Sequence, residues 1–406
     1  MIKRMRALLI STYDLGRQPF GLAVASARLR AAGHEVACFD TSRHRLPPAA
    51  FAGAELVAFF LPMHTAARLA LGMLPQVAAA APAARLAAFG LYAPMLAGQL
   101  RAAGCEVLGV EFPGAPDGAP DGEPVVPDRS GLPPLTDYAR LQLPDGSSRV
   151  AGATEATRGC KHRCRHCPVV PVYGGKFRVT GEAVVLADIR QQVAAGAEHI
   201  TFGDPDFFNG PAYAVRIVEA LHREWPTLSY DVTIKIEHLL RHRELLPRLR
   251  ATGCLLVTTA VESFDDAILA RLDKGHTASD FEHALALTRG LGLALNPTFL
   301  PFTPWTTVAS HRAFEQRLEA LGLAEQVTPV QRGIRLLLPP GSHLLDCEDA
   351  PQWLGDYDAA ALSYTWRALE PAADELCREV QATVAKASRE KRPRITIPYL
   401  DEPWFC

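Results

Sequence analysis

Short apolar runs alternate with longer stretches of helical spacing through roughly the first 110 residues. Residues 7–11 (Ala-Leu-Leu-Ile-Ser) form a run of strand length, and residues 22–32 repeat apolar positions at helical spacing until Gly33 ends them. Further strand-like runs cover 34–39, 56–60, 86–90 and 106–110, with Ala-rich helical segments between them. Strands alternating with helices in this way predict a doubly wound parallel sheet. Residues 113–134 change character: Pro-Gly-Ala-Pro-Asp-Gly-Ala-Pro-Asp-Gly is turn chemistry with almost nothing to bury, as expected of a surface linker. A second series follows, with strands predicted at 152–156, 199–202, 229–234, 255–260, 294–299 and 334–338 and helical stretches such as 183–195 between them. Six strand–helix units in this length predict an incomplete barrel rather than a closed eight-unit one. Beyond Pro340 the pattern is helical, then extended through 394–398. The expected fold class is therefore α/β, divided into a Rossmann-like domain over 1–112, a linker over 113–150, a partial barrel over 151–340 and a helical and extended C-terminal region over 341–406.

Composition narrows the function classes. The chain has 406 residues, of which 48% are hydrophobic and 21% charged, so it can bury a large core without disulfide staples. Its 42 Lys and Arg nearly balance 44 Asp and Glu, and a net charge of −2 gives no global basic field for nucleic acid. The most apolar stretch, 55–98, is interrupted by Arg68 and Arg85 and broken by Pro75 and Pro82. No uncharged apolar run reaches the ~18 residues of a membrane span. The N-terminus is basic and then apolar, but the apolar part is too short for a signal core and reads as a first strand. A cytoplasmic protein is expected, acting on neither membrane nor nucleic acid.

The nine cysteines are an odd number, six of them scattered, which is no disulfide framework in a reducing compartment. The other three, Cys160, Cys164 and Cys167, fall in Thr-Arg-Gly-Cys-Lys-His-Arg-Cys-Arg-His-Cys-Pro after the first predicted barrel strand. Pro168 and Pro171 keep this loop from becoming a regular helix. Thiolates suit soft metals, and three on one loop can hold three irons of a four-iron cluster while the fourth iron stays open. Arg158, Lys161, Arg163 and Arg165 would favour thiolates and offset the negative charge of a cluster. A zinc site using the three cysteines with His162 or His166 is the rival, and with it a non-catalytic zinc-binding regulatory or scaffold protein. Zinc motifs come more often as two C-x2-C pairs, and no second pair exists here.

The C-x3-C-x2-C loop at the end of the first strand of a barrel series resembles the radical S-adenosylmethionine (radical SAM) superfamily, over residues ~150–340. His166 departs from the pattern, since an aromatic commonly precedes the last cysteine. The resemblance implies a partial (β/α)6 barrel in which Cys160, Cys164 and Cys167 ligate a 4Fe-4S cluster and SAM chelates the fourth iron. It also implies reductive cleavage of SAM, a small-molecule substrate, and a reductant such as flavodoxin or ferredoxin. After the second strand, Gly203-Asp204-Pro205-Asp206 stands where the family receives the SAM amino group, Asp204 first among them; Asp-Pro-Asp also starts helices well. Alternation places Lys235 and Glu237 on one face after the third strand, as cofactor contacts or as an ion pair at the rim. Glu262 and Ser263 follow the fourth strand, where ribose or carboxylate contacts are expected, and Ser263 could equally cap a helix. Thr298 ends the fifth strand within reach of adenine or substrate.

The preceding domain is similar to the cobalamin-binding type often fused to such barrels, and residues 128–135 resemble the bridge between the two. The Asp-x-His-x-x-Gly motif that gives a histidine to cobalt is absent, since neither Asp14 nor Asp40 has His two residues on. Either cobalamin binds without a protein histidine or the domain has lost it. The chain ends Asp-Glu-Pro-Trp-Phe-Cys406, which resembles the radical SAM (seleno)protein subfamily with a Cys-Cys-Ala-Glu-Pro or Cys-selenocysteine-Ala-Glu-Pro (CUAEP/CCAEP) tail, broken off after the first cysteine. That resemblance makes Cys406 a catalytic candidate and implies a selenocysteine codon taken as a stop, and a soft arsenic, selenium or sulfur substrate.

Overall fold

A computed structural model describes residues 4–113 and 125–389. Five short apolar runs become β1 (Arg6–Ser11), β2 (Glu35–Asp40), β3 (Leu56–Phe60), β4 (Arg85–Phe89) and β5 (Glu106–Gly109), all parallel, in the order β2-β1-β3-β4-β5. Their side chains alternate between two cores. Leu8, Ile10, Val57 and Phe59 meet the helix His64–Ala80 on one face; Ala7, Leu9, Leu56 and Phe89 meet the helix Phe20–Ala31 on the other. A sheet buried on both faces is what continuous apolar strands require. Strand order reverses between β1 and β3, and the carboxyl ends of these two strands open toward the second half of the chain.

That half begins with a hairpin, β6 (Arg140–Gln142) and β7 (Ser148–Thr154). A second hairpin, β8 (Thr157–Gly159) and β9 (Phe177–Val179), brackets the cysteine loop. Parallel strands β10 (His199–Phe202), β11 (Ser229–Thr233), β12 (Cys254–Glu262) and β13 (Ala294–Phe299) then extend from β7 in sequence order. Helices Glu182–Ala194, Pro211–Glu224 and Ala278–Gly290 cover the convex side around Ile200, Tyr230, Val257 and Phe281. Register shifts at Tyr230/Asp231 and Ala260/Glu262 curl the sheet into a half-barrel.

The sixth predicted strand, 334–338, makes only one parallel bridge, Phe302 to Arg335. Its leucines turn instead into a separate core with Trp353 and Trp366, and the Trp366 indole donates to the Leu336 carbonyl. The hairpin of β14 (Leu354–Asp358) and β15 (Ser363–Trp366) carries this core back to the first sheet, where His64 Nε2 lies 2.6 Å from the Ala361 carbonyl. Helix Pro371–Arg389 ends the described chain, so Cys406 lies outside the described residues.

Only part of the predicted linker is described, and within it Val126, Ser130 and Pro134 are exposed while Pro127, Arg129 and Leu135 turn inward. Arg129 is buried, and its guanidinium donates to both Asp188 oxygens at 2.7 and 2.9 Å, to the Ala153 carbonyl at 2.6 Å and to Gln18 Oε1 at 2.8 Å. Bidentate pairing with a carboxylate is the geometry a guanidinium satisfies best. One side chain thereby joins the loop after β1, the first barrel strand and the helix behind it. The composition of 113–134 carried no sign of this, because one Arg among turn residues reads as solvated.

Candidate active site

The cysteine loop starts at Gly159, whose φ of +80° suits glycine; a Cβ there would stand 2.5 Å from the Lys176 carbonyl. Cys164 is buried, and Cys160 and Cys167 are half-buried. Three elements hold the loop. Asn209 accepts from Lys161 N and donates to the Gly159 carbonyl. Arg165 N donates to the Leu272 carbonyl at 2.9 Å, and Ser342 Oγ donates to the Arg165 carbonyl. Pro171 sits in the first turn of the short helix Val170–Tyr173 that closes it. Burial pushes the Cys160 thiol up to about 12 and the Cys167 thiol up to about 11. A soft cation that displaces those protons fits this donor set.

The arginines and lysine near the cysteines in sequence are spent elsewhere. Arg158 pairs with Glu155 at 2.7 Å and Glu111 at 3.0 Å, while Lys161, Arg163 and Arg165 donate to backbone carbonyls. Lys274 is the cation whose charge favours thiolate at Cys167. It is buried, 3.1 Å from Glu262 Oε1, and His166 Nε2 lies 3.1 Å from the same oxygen. Burial raises the Glu262 carboxyl, but Lys274 and His166 outweigh it and bring it down to about 2. Glu262 has φ +69°, a left-handed backbone in a non-glycine residue, at the end of β12. His166, the departure from the aromatic pattern, is thus the residue that ties the loop to Glu262.

The other expected contacts scatter. Gly203 lines the cleft between the two sheets. Asp204 is buried, and both oxygens are engaged: Oδ2 accepts from Ala156 N at 3.0 Å, and Oδ1 accepts from Thr157 N and Oγ1 at 2.5 and 2.6 Å. This geometry suits holding the turn before the cysteine loop. Asp204→Ala is therefore expected to cost about 2–3 kcal/mol, since it strands buried donors, and urea unfolding of the cluster-free chain at neutral pH measures it. Asp206 and Glu237 face His162. Lys235 precedes a helix, Ile236–Arg241, rather than continuing the strand, and still pairs with Glu237 at 3.5 Å. Ser263 Oγ accepts from Asp265 N in the turn before the helix Asp266–Arg271, but the cap is Asp265, whose carboxylate accepts from Ala267 N and Ile268 N. Thr298 is half-buried on β13.

A cleft lies where the carboxyl ends of the two sheets meet, lined in part by the segments 11–21 and 62–65 that follow β1 and β3. Phe20, Phe60, Met63 and Phe89 give it apolar walls, and Asp14, Glu111, Glu155 and Arg158 give it charge. Burial pushes the Asp14 carboxyl up to about 7. The floor, Thr157 to Gly159, runs directly into Cys160. Among the described residues, no histidine lines this cleft.

The radical SAM superfamily model matches residues 154–314, the span from the end of β7 through the cysteine loop and past β13. The chain thus carries a radical SAM domain, whose family works with a 4Fe-4S cluster and SAM. Over 158 residues it is 25% identical to the hopanoid C-3 methylase of Methylococcus capsulatus, which covers 37% of this chain and 30% of that protein. Over 184 residues it is 27% identical to the tRNA-2-methylthio-N(6)-dimethylallyladenosine synthase of Chlorobium chlorochromatii, 43% of this chain and 41% of that one. The chain therefore spans well under half the length of these relatives. Among solved structures, the cobalamin-dependent SAM radical enzyme OxsB with aqua-cobalamin bound aligns over 95% of this chain and 67% of its own, with a TM-score of 0.70 and 12% identity. The radical SAM methyltransferase TsrM from Kitasatospora setae, with cobalamin and a [4Fe-4S] cluster bound, aligns over 93% and 91%, with a TM-score of 0.59 and 16% identity. At these identities the structural likeness establishes the two-part fold. No helix among the described residues is long and apolar enough to cross a membrane.

Proposed function

We propose that the chain is a radical SAM enzyme in which Cys160, Cys164 and Cys167 hold the cluster and the cleft between the two sheets holds cobalamin. One observation carries the reading: the loop bearing all three thiols begins where the floor of a cleft shared by both sheets ends. When bound, the cluster and SAM supply one-electron cleavage of a carbon–sulfur bond, and cobalamin supplies methyl transfer. The protein's share is placement. Asn209, Leu272 and Ser342 fix the loop, Lys274 compensates negative charge behind it, and the aromatic walls exclude water. Cobalamin fits the apolar walls and would be held without a protein imidazole, in line with the missing Asp-x-His-x-x-Gly motif. The methylase and methyltransferase among the relatives support methyl transfer as the reaction class. A small substrate bearing a soft element rests on the resemblance at residues 401–406, which lie outside the described residues.

Anaerobically purified and reconstituted protein is expected to be brown, with about four irons per chain, and to cleave SAM when reduced. It should also retain hydroxocobalamin through gel filtration, and Phe60→Arg, which puts a charge in the apolar wall, should abolish that retention while the iron stays. Colourless protein that cleaves no SAM would overturn the cluster assignment. Iron and SAM cleavage without retained cobalamin would overturn the cleft assignment alone.

A further inference from the structure

Three metal-binding side chains converge beside the cysteine loop without belonging to the cysteine set. His162 comes from the loop, Asp206 from the turn after β10, and His238 from the helix Ile236–Arg241. Their donor atoms lie within 4.8 Å of one another. Asp206 Oδ2 is 2.6 Å from His238 Nδ1 and 3.4 Å from His162 Nε2, and the two imidazoles face each other 3.2 Å apart through Nε2. His238 is 0% and Asp206 1% exposed.

The hydrogen bonds of this group do not close. Asp206 Oδ1 accepts from Phe208 N and caps the following turn. Asp206 Oδ2 and His238 Nδ1 are buried, and neither has a directed hydrogen bond. A buried carboxylate oxygen 2.6 Å from one ring nitrogen and 3.4 Å from another carries a negative charge that a proton on an imidazole, or a cation shared by all three side chains, must offset. Two imidazoles and a carboxylate are a donor set that zinc accepts, with one position left for water. Outer-shell groups stand nearby as well. Glu237 Oε2 stands 3.7 Å from His162 Nδ1, beyond hydrogen-bond distance, and would have to close in to take the second N–H of a ligating imidazole. Lys235 Nζ donates to the same nitrogen at 3.3 Å, a bond that a metal on Nε2 would displace, and Glu237 at 3.5 Å offsets the ammonium.

We propose that His162, Asp206 and His238 form a mononuclear zinc site distinct from the three cysteines, which braces the cysteine loop against the second and third barrel strands. The site is defined without the cysteines, so it can be tested where they are absent. The Cys160→Ala/Cys164→Ala/Cys167→Ala chain, stripped with chelator, exposed to Zn2+ alone and desalted, is expected to keep about one zinc per chain. Adding Asp206→Asn or His238→Gln should weaken that retention at least tenfold, with circular dichroism confirming the fold. Should the triple variant fail to fold, the cluster-loaded wild-type chain is measured instead. There one zinc should accompany the iron, and His238→Gln should lose the zinc and keep the iron. Zinc at background in the folded triple variant or, failing that, in the cluster-loaded wild type, or retention that ignores Asp206 and His238, overturns the site.

Discussion

Replacing Cys160, Cys164 or Cys167 with Ala is expected to remove most of the iron and all SAM cleavage, whichever of the three is changed. Three thiols at this spacing act as a unit, because each iron they hold loses its only protein ligand when its sulfur goes. Burial pushes Cys160 and Cys167 well above the ordinary thiol range, so without a metal both stay protonated at neutral pH. Binding must release those protons, and a two-sulfur loop would leave one iron without its protein ligand. Cys38, Cys105 and Cys254 provide the contrast. All three are buried among strands, and their replacement by Ala should cost about 1–2 kcal/mol of packing and no iron. Iron content, the visible absorbance of the cluster and chromatography of SAM products, run on all six variants, check this. A single cluster variant that keeps both iron and cleavage would sink the assignment.

Apolar periodicity made both sheets legible, since β1 to β5 and the parallel strands β7, β10, β11, β12 and β13 are short runs that need burial. The cysteine loop was legible for another reason: its chemistry is local, and three ligands within eight residues need no tertiary structure to be seen. What stayed hidden depends on residues far apart in sequence. Lys274 approaches Cys164 and Cys167 only because β12 and the turn after the helix Asp266–Arg271 bring it there. Arg129 reads as a linker arginine until Asp188, 59 residues on, folds beneath it. The predicted strand at 334–338 is apolar enough, but Trp353 and Trp366 give its leucines a better partner than the edge of β13. Asp204 and Asp206 show the limit of motif position: one turn presents two carboxylates, and hydrogen bonding sends the first to the backbone of Ala156 and Thr157 and the second to two histidines.

Glu262→Gln is expected to destabilise the cluster-free chain by about 3–5 kcal/mol at neutral pH. The substitution keeps the shape of the side chain and removes its charge, which leaves the Lys274 ammonium buried with no anion 3.1 Å away. Removing one partner of a buried pair costs far more than removing both. Adding Lys274→Met to Glu262→Gln should therefore restore most of the loss, and this rescue separates a charge effect from a packing defect. The pH dependence has a definite sign. The Glu262 carboxyl is brought down to about 2, below its unfolded value of about 4.5. Its contribution is thus complete above that unfolded value and is lost as pH falls through about 2. Urea midpoints between pH 7 and pH 3 should fall less steeply in Glu262→Gln than in the wild type. With the cluster loaded, Lys274→Met should in addition make the cluster harder to reduce, because the cation behind Cys164 and Cys167 favours the more negative state. Unfolding and redox titrations test the two halves separately. A Glu262→Gln loss below about 1 kcal/mol would mean that water or His166 already compensates Lys274, and an unchanged potential in Lys274→Met would place this ammonium outside the electrostatics of the cluster.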